Sequence, residues 1–526
     1  MTTSTAEVGE HYLRRTIYES TEFFTRQPVE EHPEVSPPAF KIYRNLPRYR
    51  LGGGLPLRLA DARRCAAGPP STPRWDEATV SALTHYGYGV SRRDEGPGVV
   101  WPVHRQVASA RCLFPTELYL WIPQTGDVPG GLHHYDPLHH ALVQLRDGDL
   151  RDDMADAVGA CLDGCRVVLL VSSMLWKNAY KYHGYAYRLC SQEAGMVVGN
   201  CLLVAAALGL RGTVHHRFAD GALAHLLGLD SREEGVFAAL ALGDGPGPRA
   251  GAPPGGREPR SRPPLPPLDT SFAGMETFGG ALDPLLTGIA ERSAQDRPRA
   301  GRDGPAPVTG GCAEPTSTEL PGPGRSGRNF DLAAALRARS SGNVMLGPLR
   351  APLSVADLGE VLHPLLQPWD CDLRPEGAGP PIDVLVAAVD IEGLAPDCYR
   401  YCPHHGALHP LGTGDVVRRL QGSMSVPNLN LCASNAVVYL AGDMTEALRT
   451  HGDRGYRILT MEAGVLAQRL SVLAAACGLV ARVHNGYDAT EVERALGIES
   501  TPLTPLFQVA LAHNRPGVQY GLRVLF

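Results

Sequence analysis

Lysine is almost missing from this chain. Of 49 basic residues in 526, three are lysines, Lys41, Lys177 and Lys181, and the rest are arginines. An excess of Arg, Ala, Gly and Pro points to a GC-rich genome, which explains the depletion but not which lysines were kept. Other absences exclude whole classes of protein. No apolar run approaches the ~18–20 residues that cross a bilayer, so no membrane segment is expected. The opening MTTSTAEVGEHYLRRTIYESTEFF has no charged-then-apolar signal. That predicts a cytoplasmic location, in which the twelve cysteines stay mostly reduced. The net charge of −6 leaves no basic footprint for nucleic acid. GxxxxGKS/T and GxSxG elements are missing, and the GxGxxG match GPGRSG (322–327) lies in Pro/Gly-rich text with no strand pattern before it, against a Rossmann dinucleotide site, a P-loop or a serine hydrolase.

The composition that remains, 44% hydrophobic and 20% charged, is that of a globular protein with a substantial core. From about Gly243 to Gly327 the text collapses into Pro, Gly and Arg, as in GDGPGPRAGAPPGGREPRSRPPLPPL. Such a segment cannot bury enough apolar surface to offset its ordering entropy and reads as a disordered linker, with one short helix around Phe278 to Glu291. The flanking segments repeat each other. AYRLCSQEAGMVVGNCLLVAAALGL (186–210) aligns without gaps on GYRILTMEAGVLAQRLSVLAAACGL (455–479), with ten of 25 positions identical. HHYDPLHHAL (133–142) matches YRYCPHHGAL (399–408), and HLLGLD (225–230) matches RALGIE (494–499). The chain is an internal duplication: 1–242 a first half with an N-terminal extension, 243–327 the linker, 328–526 a second half.

Each repeat alternates β-rich segments with one long helix that is apolar nearly all round and so belongs between layers. The pattern predicts an α+β fold, duplicated as a pseudo-dimer about a pseudo-twofold axis.

Three stretches could carry chemistry. WKNAYKYHGYAYRLC (176–190) places two of the three lysines among four tyrosines. Tyrosine packing with a snorkelling lysine is the ordinary reading of such a cluster. Arginine, however, cannot give up its proton, whereas lysine can be tuned to do so. Lys181 and Tyr182 are therefore candidates for proton transfer, with Lys177 expected as a solvated neighbour one turn away. LRARSSGN (336–343) sets Arg337, Arg339, Ser340 and Ser341 at a helix boundary, donors that suit a phosphate. RQVASARCLFPTELYLW (105–121) is a small-residue loop entering a strand. CLDGC (161–165) and CYRYC (398–402) lie in different halves, and His139–His140, His215–His216 and His404–His405 share no ligand spacing, so no metal is expected.

Together and in this order, these segments resemble the SagB-type dehydrogenase branch of the FMN-dependent nitroreductase family. Phe23–Phe24 and PPAFKIY, which holds Lys41, match its opening. RQVASARCLFPTE keeps Arg105, Ser109, Pro115 and Glu117 of its loop but departs at Ala108 for proline and Arg111 for glycine. KYHGYAYR keeps Lys181, Tyr182, Tyr187 and Arg188, and Glu193–Gly195 matches a Glu-x-Gly on the long helix. The resemblance implies a nitroreductase-type FMN fold and a dehydrogenase that oxidises thiazolines or oxazolines to azoles in a ribosomally made peptide, most similar to those of thiopeptide pathways. It implies Cα proton removal by Lys181 or Tyr182 and hydride transfer to FMN N5. An azoline-containing precursor peptide is the expected partner, with cyclodehydratase or leader-binding proteins as further candidates. A general nitro or quinone reductase and a cofactor-free scaffold subunit are the competing readings.

The halves have diverged unequally. The Arg/Ser motif stands only in the second half, where the first has ARRCAAG (62–68). The loop stands only in the first, where the second reads RPEGAGPPID (374–383), and the second half has no lysine. One composite FMN site is the expectation: Arg337, Arg339, Ser340 and Ser341 from the second half, Arg105, Ser109, Lys181 and Tyr182 from the first. VARVHNGYD (480–488) should flank the flavin, and Arg515 or Arg523 should add a phosphate contact.

Overall fold

The computed structural model describes residues 7–25, 37–52, 54–69, 74–95, 99–123, 128–245, 282–298, 317–342, 349, 351–426, 428–513 and 520–524. Among these, two large sheets carry the halves. The first runs, edge to edge, Arg48–Arg50, Ala141–Arg146, Gly131–Asp136, Thr116–Ile122, Cys165–Met174, Glu234–Gly243 and Arg211–His215. The second repeats this order strand for strand: Thr318–Glu319, Ala407–Pro410, Cys398–Cys402, Asp383–Ala388, Ala436–Gly442, Thr504–His513 and Leu479–His484. The apolar runs VVLLV and AVVYLA sit at the centres and are buried throughout, as a strand covered on both faces must be.

Each half is completed by the other. Asp370–Cys371 joins the first sheet in parallel beside Arg211–His215. Near the C-terminus, Tyr520–Arg523 pairs with Val90–Glu95 of the first half, which in turn pairs with Val103–Arg105. The two long helices, Ala186–Ala207 and Arg454–Ala476, cross at glycine. A Cβ on Gly195 would lie 2.2 Å from the Met461 carbonyl oxygen, and one on Gly464 2.4 Å from that of Gln192. These are equivalent contacts read in both directions, the signature of a twofold interface. The conserved arginines of the repeat do the same: Arg188 donates to the Leu506 carbonyl and Arg457 to that of Val236, each crossing to the other half's last long strand.

Two expectations need correction. The helical stretches Leu175–Ala207 and Arg454–Ala476 are in fact long and apolar enough to cross a membrane by length and composition, but they are buried inside the protein. The crossing itself consumes the apolar surface. The segment read as linker is structured in part. Pro284–Ser293, capped by Asp283, is a helix that buries Leu286 and Ile289, close to the expected one. Thr318–Glu319 pairs with Leu408 and Ala407, so the second sheet begins ahead of residue 328.

Candidate functional site

The loop that follows Val103–Arg105 is the foundation of the candidate site. Arg111, Cys112 and Phe114 all take positive φ, 54°, 52° and 48°. For non-glycine residues this costs about 1–2 kcal/mol each, so the loop must be held. Ser109 Oγ accepts from the Phe114 amide at 2.9 Å, and the Lys177 ammonium donates to the Phe114 carbonyl at 2.8 Å. Ser109 also bonds to Glu193 on the first long helix, which accepts from the Tyr88 hydroxyl at 2.9 Å. Burial raises the Glu193 carboxyl above its ordinary range. Ser109 thus closes the loop rather than standing free for a ligand.

Arg105 is buried against the rings of Tyr88, Phe114 and Phe40. One Nη donates to the Ala39 carbonyl at 2.9 Å, while Nε and the other Nη have no partner. No carboxylate pairs with it among the described residues. The second half delivers its counterpart. Helix Leu332–Ala338, capped by Asp331, ends at Arg339, whose Nε donates to the Gln106 carbonyl at 2.8 Å and Nη2 to the Arg105 carbonyl at 3.3 Å. Its Nη1 is buried and unpartnered. Burial and then Arg92 press the Arg339 guanidinium down to about 10. Arg339 of the second half is therefore seated on the backbone of Arg105 in the first, and each guanidinium keeps uncommitted donors. Such donors fit a phosphate.

Arg337, Ser340 and Ser341 do less of this than expected. Arg337 donates to the Tyr86 hydroxyl at 3.1 Å and the Leu57 carbonyl at 2.8 Å, pinning the helix to the first half. Ser340 Oγ accepts from the Gly342 amide, and the Ser340 and Ser341 carbonyls receive Ala481 N and Arg482 Nε. VARVHNGYD thus lies directly against the Arg/Ser motif. Asn485 from this segment exchanges both amide bonds with Gln192, at 3.0 and 2.6 Å. Arg515 lies outside the described residues, and Arg523 pairs through its backbone with Arg92.

The lysines reverse one expectation. Helix Leu175–Tyr182 begins directly after strand Cys165–Met174, so its first turn lies under the loop and its last turn emerges. Lys177, read as solvated, is fully buried, and burial lowers it to about 8. Lys181 and Tyr182 are half-buried in the last turn. Burial raises the Tyr182 phenol, and Arg111, the departure from the family's glycine, opposes that rise by charge and hydrogen bond. Lys41 is also internal, paired with Glu234 at 2.6 Å and bonded to the Tyr119 hydroxyl at 2.9 Å.

The pseudo-equivalent arginine in the second half is paired instead with a carboxylate. Arg374 stands for Arg105 and Glu462 for Glu193, and here they form an ion pair at 2.9 Å. Arg374 and Arg469 both pack on the Trp369 ring, at 4.6 and 4.7 Å from its centroid. Asp61 and Asp331 bridge across the pseudo-twofold. Counted from this pair, Arg337 and Arg339 fall opposite Ala67 and Pro69, which cannot repeat their contacts.

Comparisons agree with this architecture. The nitroreductase family model matches residues 131–244, which hold Lys181, Tyr182 and Glu193. A protein of Methanocaldococcus jannaschii that carries a nitroreductase name is 25% identical over 127 residues, 24% of this chain and 64% of that relative's length. A crystal structure of a nitroreductase from Anabaena variabilis superimposes on 97% of this chain and 99% of its own, with TM-score 0.74 and 22% identity. A microcin synthetase complex from E. coli covers 43% of the chain with TM-score 0.28. The chain thus has the nitroreductase fold in duplicate, as one α+β pseudo-dimer, and part of its first half matches the nitroreductase family model.

Proposed function

We propose that this chain is an FMN-dependent dehydrogenase that oxidises thiazolines or oxazolines to the aromatic azoles in a ribosomally made peptide. The observation that carries the reading is the composite clamp. Arg339 of the second half seats on the Arg105–Gln106 carbonyls of the first, and both guanidinium groups keep unpartnered donors in a buried position. A buried donor without a partner costs about 1–3 kcal/mol, more when charged, which an anionic ligand would relieve. The phosphate of FMN is that ligand, and the flavin when bound supplies the hydride acceptor.

The chain's own work is orientation and proton transfer. An azoline Cα–H is acidified by the ring imine and the adjacent carbonyl. Its proton needs an acceptor, while the hydride leaves Cβ and the ring gains a double bond. Lys181 or Tyr182, side by side in the last turn of their helix, takes that proton. Lys177 and Ser109 hold the strained loop in register beneath them. A nitro or quinone reductase requires no such pair on the protein, and the second half, which has no clamp, has no lysine either.

The test is incubation of the purified chain with FMN and a thiazoline-containing peptide under air, followed by mass spectrometry. Loss of two hydrogens per ring is expected. No loss from any azoline, with quinone or nitro substrate turned over instead, refutes the reading, and a colourless purified chain that takes up no FMN favours the scaffold.

A further inference from the structure

The second half carries a side-chain cluster that the flavin chemistry does not use. Strands Cys398–Cys402 and Ala407–Pro410 form a hairpin around the turn CPHHGA. In its register Cys402 faces Ala407 and Arg400 faces His409, so His409 and Cys402 lie diagonally on one face. The turn then brings His405 back over them. Cys402 Sγ and His405 Nδ1 are 3.4 Å apart, and the ligand atoms of Cys402, His405 and His409 all lie within 4.8 Å of one another. His409 Nε2 is buried without a hydrogen-bond partner.

We propose that Cys402, His405 and His409 are three ligands of a zinc-class divalent cation. Zn–S near 2.3 Å and Zn–N near 2.0–2.1 Å at tetrahedral angles give ligand–ligand edges of roughly 3.3–3.6 Å. The Cys402–His405 edge already has this length, and His409 has little distance to close. One thiolate and two imidazoles are the donor set a borderline-soft ion selects. Cys402 gives up its proton on binding, and the fourth position, on the side of exposed His405, takes water.

The duplication supplies the control. The matching hairpin of the first half keeps the turn but has Asp136 for Cys402 and Val143 for His409. There Asp136 binds His139 at 2.8 Å and Arg48 at 3.1 Å, a closed ion-pair corner. In the second half the corresponding edge strand, Thr318–Glu319, brings no arginine. The same backbone has exchanged a guanidinium-filled corner for three convergent soft donors. Reading CLDGC with CYRYC missed this, because the partners of Cys402 come from the hairpin register and not from another cysteine pair.

Titration of the reduced full chain with Co²⁺ tests the proposal. One equivalent per chain should bind with a thiolate-to-cobalt charge-transfer band and the intense visible bands of a tetrahedral site, and Zn²⁺ should displace it. Cys402→Ser should abolish the charge-transfer band. His405→Ala, a change at an exposed side chain that the fold tolerates, should weaken Co²⁺ binding at least tenfold. No charge-transfer band, or a band that survives both substitutions, overturns the site. Neither outcome depends on flavin binding.

Discussion

Arg105 and Arg374 enter the fold at matching points of the two halves and end in opposite states. Arg374 closes on Glu462, so that the buried cation and the buried carboxylate neutralise one another. Arg105 is as deeply buried, yet Glu193, the counterpart of Glu462, is engaged instead by Tyr88 and Ser109. Its guanidinium is left against the rings of Tyr88 and Phe114 with donors to spare. A duplicated chain is free to let one of two equivalent clefts become structure, provided its charges find each other. The contrast between a self-paired arginine and one with spare donors is the basis for proposing one functional site per chain.

The sharpest way to test that contrast is at the pair with no counterpart. Lys181→Ala and Tyr182→Phe should each lower azoline turnover by about 10²–10⁴-fold, the range of general acid–base contributions. The bound flavin spectrum should stay intact; its loss in either variant would make the residue structural. At the self-paired position the effect should fall on stability instead. Arg374→Met leaves Glu462 buried without its partner, at a cost of about 3–5 kcal/mol. It should lower the denaturation midpoint in urea while turnover per folded molecule is unchanged, and Arg374→Met with Glu462→Met should recover most of the loss.

Lys177 distinguishes the halves through pH. Burial lowers it from 10.5 to about 8, so between those values the unfolded chain holds a proton that the folded chain has released. Folding stability should therefore rise with pH across that window, by on the order of 3 kcal/mol in total. Urea titrations at the two ends should show this rise in the parent chain and not in Lys177→Met. An equal rise in both would mean the lysine is not buried in solution. The smallest effect belongs to the clamp: Arg339→Met removes charge-assisted donors worth about 1.5–3 kcal/mol, so FMN affinity should fall about ten- to a hundredfold by equilibrium dialysis.

Much of this was legible in the sequence because duplication wrote it twice. The aligned Glu-Ala-Gly helices foretold the twofold, although the reason for glycine at 195 and 464, backbone-to-backbone contact, needed the crossing itself. The clamp was legible as a residue class but not as a geometry. Arg337 and Arg339 stand two residues apart, and only the exit angle of their helix sends one to Tyr86 and the other to the loop. Lys177 was misread because helical spacing relates it to Lys181 and is blind to the strained loop above its first turn. The His and Cys of the second hairpin were visible as letters, but strand register brings them together.

FMN stoichiometry tests the central claim most directly. The parent chain, saturated and stripped of free flavin, should carry one FMN per chain by absorbance against amino-acid analysis, with the same ratio in Arg374→Met and a strongly reduced one in Arg339→Met. Two FMN per chain, or a ratio that falls with Arg374 and not with Arg339, would contradict the account.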